Sequence, residues 1–243
     1  MKGGDRIHVG TSGWQYDDWA GAFYPDELSR DEWLTYYTEQ FETVEVNNTF
    51  YNVPSLESVE RWRQRAPEGF EYTLKAHRYI THRKKLIDPD QTLPAFLEVA
   101  EALGDRIGVL LFQLPPKWHA NPERLASFLE AVPDRYRCAV EFRDPSWYDD
   151  AIYQVLDDAD AAFCVHDMID RASPKVVTAD FAYARFHGAA GQYHGKYDTP
   201  TLSGWAGTFA AWLDRVDQIY AYFNNDAYAA APENAAKLRD MVR

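Results

Sequence analysis

The stretch GTSGWQYDDW, residues 10–19, follows the first strand candidate at residues 7–11 and decides between two folds. A doubly wound open sheet places a glycine-rich turn here, because backbone amides must come close to a phosphate. This turn carries Trp14, Tyr16 and Trp19 instead, side chains too bulky for such an approach. The alternative built from the same alternation of strands and helices is a closed (β/α)8 barrel, which asks nothing of that turn.

Reading outward from residue 10, short β-rich runs alternate with amphipathic stretches to the end of the chain. The spacing predicts strands at residues 7–11, 43–47, 71–75, 107–113, 137–143, 161–166, 181–187 and 218–224. Helices are expected at 30–40, 56–66, 94–103, 122–132, 151–158, 205–216 and 232–242. Asn121 followed by Pro122 is a strong start signal, the first as N-cap and the second suited to the first turn. Ser29 marks a similar start for the stretch at 30–40. The connection at 167–180 is polar and lacks a helical face, so the sixth βα unit is expected to be degenerate. No linker, repeat or low-complexity run divides the chain. The expectation is one α/β domain over residues 1–243, a TIM-type barrel.

In such a barrel alternate strand residues face the interior, and ligands bind at the strand C-termini. One parity class holds polar, chemically able residues: Glu45 and Asn47; Thr73, Lys75 and His77; Gln113; Glu141 and Arg143; Cys164 and His166; Tyr183, Arg185 and His187; Tyr220, Tyr222 and Asn224. The other class is apolar, with Val44, Val46, Leu74, Leu110, Phe112, Val140, Phe142, Phe186 and Phe223, and suits the layer beneath the helices. Charged groups at many strand ends, all of one parity, are costly to bury without a purpose. They point to a ligand site at the mouth.

Glu45 and Glu141, from strands across the barrel, are the candidate acid and base, since paired carboxylates serve glycoside hydrolysis and proton-shuttling isomerisation. The competing reading has Glu141 held in an ion pair with Arg185 or Lys75. Lys75 reads either as a reactive amine or as a fixed positive charge beside Glu141. Arg143 and Arg185 offer fork-shaped donors for a carboxylate or phosphate. Gln113, His77, His187, Asn47 and Asn224 would orient the substrate, and Trp14 and Trp147 would stack on it. No cofactor is expected; a divalent metal held by His77, His166, His187, Glu45, Glu141 or Asp167 is an alternative, although no HxH, HxxxH or ExxH spacing occurs among them.

Composition narrows the function classes. With 38 acidic and 25 basic residues the formal charge is -13, which argues against extended nucleic acid as a partner. Hydrophobic residues make up 46% of the chain, the share of an ordinary globular protein. The two cysteines, Cys138 and Cys164, form no CxxC pair and read as small buried hydrophobes. There is no signal-peptide core and no apolar run of membrane-spanning length, so a cytoplasmic protein with no membrane partner is expected. Oligomeric state is left open. The functional expectation is an enzyme acting on a small polar anion such as a sugar, sugar phosphate or nucleotide fragment. A non-catalytic ligand-binding barrel and a metal-dependent phosphodiesterase or nuclease are the alternatives.

The segments VGTSGWQYDDWAGAFYP, FETVEVNNTFYNVPS, FEYTLKAHRYITH, LLFQLPPKW, CAVEFRDPSWY, YARFHG and YAYFNNDAYAAAPENA together resemble the successive motifs of the DUF72, or YecE-like, family. The resemblance runs from about residue 7 to 238. It implies a TIM-type barrel with a polar pocket of Glu45, Asn47, Lys75, Gln113, Glu141, Arg143, Arg185, His187 and Asn224. One departure is visible: AYAAAP stands where the family pattern has a glycine before Ala-Pro, which bears on the last strand-helix turn. The resemblance carries no defined activity.

Overall fold

The computed structural model describes residues 6–168, 172–191 and 193–243. Eight strands run in parallel: β1 (Ile7–Thr11), β2 (Thr43–Val46), β3 (Glu71–Lys75), β4 (Ile107–Gln113), β5 (Arg137–Glu141), β6 (Ala161–Asp167), β7 (Phe181–Phe186) and β8 (Gln218–Phe223). They form one sheet in the order β1-β8-β7-β6-β5-β4-β3-β2. The ends β1 and β2 meet through a single parallel bridge between Ser12 and Glu45, so the barrel is nearly closed. Gly10 permits this approach, because a Cβ there would lie 2.3 Å from the carbonyl oxygen of Thr43. The Tyr37 hydroxyl stitches the seam, bonding the Thr11 amide at 2.9 Å and the Thr43 carbonyl at 3.2 Å.

The helices are α1 (Trp33–Gln40), α2 (Leu56–Arg65), α3 (Pro89–Thr92), α4 (Pro94–Leu103), α5 (Pro122–Glu130), α6 (Asp150–Asp158), α7 (Thr199–Trp212) and α8 (Ala230–Val242). Asn121 caps α5 by accepting from the Arg124 amide at 2.9 Å, as its sequence implies. Helix α1 starts later than Ser29 predicts. The Ser29 amide and hydroxyl both donate to Glu32 Oε2, at 2.9 and 2.6 Å, and close a separate turn. Helix α7 starts earlier than residue 205, because Asp198 accepts from the Thr201 amide and Pro200 suits the first turn. Between β6 and β7 the described residues carry no helix, in keeping with a degenerate sixth unit. Among the described residues no helix is long and apolar enough to cross a membrane.

Two apolar layers follow from strand parity. Val44, Val46, Leu74, Leu110, Phe112, Val140, Phe142, Phe186 and Phe223 join the core between sheet and helices. Val109, Leu111, Ala139, Ala162, Cys164, Phe181, Tyr183, Tyr220 and Tyr222 fill the barrel interior. Above this plug the interior turns polar. Both cysteines are free and buried, and burial pushes the Cys138 thiol up to about 12.

Candidate functional site at the barrel mouth

Each inward position at a strand end continues the parity of its strand, which is why the polar residues converge. Arg185, on β7, is fully buried and lies at the centre. Its Nη1 donates to Glu141 Oε2 at 2.5 Å, and its Nε and Nη2 donate to Glu45 Oε1 at 3.2 and 2.6 Å. Glu45 accepts two further bonds, from Ser12 Oγ at 2.7 Å and from the Tyr183 hydroxyl at 2.5 Å. The second oxygen of Glu141 pairs with Arg143 Nε. Burial alone would raise the Glu141 carboxyl, but the guanidinium groups of Arg143 and Arg185 outweigh it and hold the group well below the usual carboxylate range.

This arrangement corrects the expected roles of Glu45 and Glu141. They do not flank an open space as acid and base; both have no exposed surface and both are bound to Arg185. A buried guanidinium left without a carboxylate would carry an uncompensated charge. The pair therefore acts as the counter-charge that seats Arg185. Of the two readings of Glu141, the ion pair is the one the geometry supports.

Arg143 is the more accessible cation, with 11% of its side chain exposed. Its Nη2 donates to His187 Nε2 at 3.1 Å. On the other side of the imidazole, His187 Nδ1 faces the Asn224 amide at 3.1 Å. Burial, reinforced by Arg185, pushes His187 down to about 3 and keeps it neutral, which suits a ring that accepts from arginine. Asn47 closes the network, donating to Asn224 Oδ1 at 3.2 Å and to the Ser12 carbonyl at 3.3 Å.

Lys75, at the end of β3, stands apart. Its amine lies 4.5 Å from the centroid of the Phe50 ring, and among the described residues it makes no ion pair or side-chain hydrogen bond. The expected fixed charge beside Glu141 is therefore not what the geometry provides. Burial, then the neighbouring Arg185, pushes the amine down to about 7, although Glu141 and Glu45 pull the other way. Gln113 is half-buried at the end of β4, and its side-chain amide has no hydrogen bond among the described residues.

Three expected site residues are placed elsewhere. His77 turns into the loop after β3, where Nε2 meets the Tyr51 carbonyl at 3.1 Å and Nδ1 accepts from the Tyr79 amide at 3.2 Å. Trp147 is fully buried on the helix side of the sheet, stacked on Phe142 at 4.9 Å, with Nε1 donating to the Trp118 carbonyl at 2.5 Å. Trp14 is buried edge-on against Trp62 of α2 at 5.5 Å. Neither tryptophan is placed to stack on a ligand, because both loops fold back over the outer apolar layer. The residues weighed as metal ligands are also occupied; His166 Nε2 bonds the Phe142 carbonyl and the Tyr148 hydroxyl, each at 3.1 Å. Among the described residues no group of three or more His, Cys, Asp or Glu is placed to hold a metal ion.

One residue at the mouth lies beyond the predicted set. Asp226 continues the parity of β8 one step past Asn224, so the same alternation would have found it had the strand been followed two residues further. Burial pushes its carboxyl up to about 7, opposed by a contact with Tyr16 and the charge of Arg185. A separate cavity of ≈ 860 Å³ lies at the opposite, N-terminal end of the strands, lined by Arg135, Arg137, Asp158, Asp160 and Asp180 among others. Barrel ligands bind at the strand C-termini, the end away from this cavity.

A nearly closed parallel barrel with a charged network at its C-terminal mouth places the chain among the TIM-type barrel proteins. The particular family is also defined. A family model described as "Protein of unknown function DUF72" matches residues 8–243, and the chain belongs to that family. It is 24% identical to the UPF0759 protein YunF of Bacillus subtilis over 97% of this chain and 94% of that one. It is 29% identical to the UPF0759 protein YecE of Escherichia coli K12, over 58% of this chain and 50% of that one. The crystal structure of a DUF72 family protein from Thermotoga maritima superposes with a TM-score of 0.86 at 29% identity, covering 98% of this chain and 99% of the other.

Proposed function

We propose that the barrel mouth binds a small polar anion, in the class of sugars, sugar phosphates or nucleotide fragments, and transfers a proton on it. Lys75 and Asp226 are the proton-transfer groups, Arg143 receives the anionic group, and Gln113, His187 and Asn224 orient the molecule. The observation that carries this reading is that Arg185 engages both glutamates and leaves the Lys75 amine without a partner. A carboxyl and an amine that both titrate near 7 can each supply or accept a proton at neutral pH. Isomerisation, which needs only proton transfer, fits this set better than glycoside hydrolysis, whose paired carboxylates are here bound to arginine.

The test begins with thermal-shift measurements against a panel of sugar phosphates, hydroxy and keto acids and nucleotides. Any binder is then incubated in deuterated water and followed by NMR. Supporting results are a binder lost in Arg143→Met, and deuterium incorporation lost in both Lys75→Met and Asp226→Asn. The rate should peak near pH 7 and fall on both sides. A binder with no exchange and no conversion would instead identify a non-catalytic ligand-binding barrel and refute the catalytic reading.

A further inference from the structure

The mouth opens beside a face whose charge is opposite to that of the whole protein. The loops after β2, β3 and β4, residues 47–55, 76–88 and 114–121, hold five Lys or Arg against a single acidic residue, Asp88. The other 37 acidic side chains lie elsewhere in the chain. Four of these cations, Arg78, Arg83, Lys84 and Lys85, follow β3 within ten residues, and Lys117 follows β4. Among the described residues only Lys84 of the five forms an ion pair, with Asp88 at 3.1 Å. The others are free to meet an anion.

Aromatic rings are interleaved with these cations. The Arg78 guanidinium lies 5.9 Å from the ring centroid of Tyr51, and that of Arg83 lies 5.9 Å from Tyr79. Lys85 and Arg124 stand 5.8 and 5.9 Å from the Trp118 ring. Tyr51 and Tyr79 are 57% and 39% exposed, Tyr51 with one edge against Phe50 at 5.0 Å. The loop that carries the cations is held in shape. Tyr79–Arg83 form a single π-helical turn, and the buried Leu86 donates its amide to the Ile80 carbonyl at 3.0 Å. Lys85, Leu86 and Lys117 have positive φ angles of 50°, 65° and 59°, each costing about 1–2 kcal/mol for a side chain other than glycine. Strained backbone of this kind persists where surrounding contacts over-determine it, and it clusters at binding surfaces.

We propose that this face binds single-stranded nucleic acid, with phosphates on Arg78, Arg83, Lys85 and Lys117 and unpaired bases stacked on Tyr51 and Tyr79. Exposed rings alternating with unpaired cations match a strand whose bases are free to stack, whereas a duplex offers its phosphates and hides its base faces. The net charge of -13 does not forbid this. At physiological salt, charges more than about 8 Å away are largely screened, so the local cations dominate at contact. The surface makes no use of Lys75 or Asp226, and the proposal stands or falls apart from the proton-transfer reading.

The experiment is fluorescence anisotropy of a labelled oligothymidylate with the full chain. Four phosphate contacts predict a slope of log affinity against log salt of about -3, and hence about a 60-fold loss between roughly 50 and 200 mM salt. Arg78→Glu with Arg83→Glu should lower affinity more than about tenfold and flatten that slope. Tyr51→Ser with Tyr79→Ser should lower affinity about tenfold while leaving the slope unchanged. Arg135→Glu, an exposed change at the other end of the barrel, should alter nothing. The proposal is overturned if no binding is seen at the lowest salt, if either double variant binds like the parent, or if duplex DNA and inorganic polyphosphate bind as tightly as the oligothymidylate. Circular dichroism melts of each variant separate a lost surface from a lost fold.

Discussion

Replacing Lys75 by methionine is expected to make the protein more stable while removing its proton-transfer group. Methionine has a similar length and volume, so the space beside Phe50 stays filled, but the buried charge is gone. The size of the effect follows from linkage. The amine titrates at about 7 in the folded protein and at 10.5 in its ordinary state. Between those values the unfolded chain holds a proton that the folded one has released, so the stability of the parent rises with pH across this window. Below about 7 both states are protonated and the full deficit remains. At about 1.4 kcal/mol per pH unit, the deficit at neutral pH has an upper bound of about 5 kcal/mol. Relaxation and water entry at the mouth reduce it, and a gain of about 1–3 kcal/mol is expected, or roughly 2–4 °C in Tm for each kcal/mol. Urea unfolding at pH values of about 6, 8 and 10 would measure it. The advantage of Lys75→Met should be largest at the lowest pH and shrink towards pH 10.5. A variant less stable than the parent, or an advantage independent of pH, would show that Lys75 is not an uncompensated buried cation and would remove the basis for its role.

The remaining predictions concern its neighbours. Arg185→Met leaves the buried Glu45 without an ion-pair partner and Glu141 with Arg143 alone, and should cost about 3–5 kcal/mol, read by the same denaturation. His187 titrates at about 3 when folded and at 6.5 ordinarily, so the unfolded chain takes its proton first. Stability from this group is complete above 6.5 and falls by up to about 1.4 kcal/mol per unit as pH drops towards 3. His187→Gln should therefore show a shallower acid loss in melts run between those values. Tyr228 and Ala229 both adopt left-handed backbone, with φ of 57° and 55°, in the turn where the family pattern carries glycine. Ala229→Gly relieves about 1–2 kcal/mol of strain and adds about 0.4–1 kcal/mol of unfolded-chain freedom, so Tm should rise by a small, measurable amount.

The same residues show how far sequence reading reached. The bounds of β1, β3 and β4 match the predicted ones residue for residue, because apolar runs flanked by turn residues delimit them sharply. The strands β2, β5 and β7 end one or two residues before the pattern predicts. At the mouth these chains leave the sheet while keeping its alternation, and pattern alone does not mark where pairing stops. Helix α1 begins at Trp33 and not after Ser29, because Ser29 and Glu32 satisfy each other in a turn whose sequence resembles a helix start.

Alternation along each strand is a property of the backbone, so the sequence by itself determined the barrel and the set of residues sent inward at its mouth. Only the tertiary structure decided how those residues share their charges. Arg185 reaches Glu45 and Glu141 from a strand distant from both in sequence, and that capture turns two expected catalysts into supports. It leaves Lys75 unpaired, while Trp14 and Trp147 turn outward to pack beneath helices. The physical reason is that partner choice depends on distances across the barrel and on competition for one guanidinium. Neither quantity has any trace in a one-dimensional pattern.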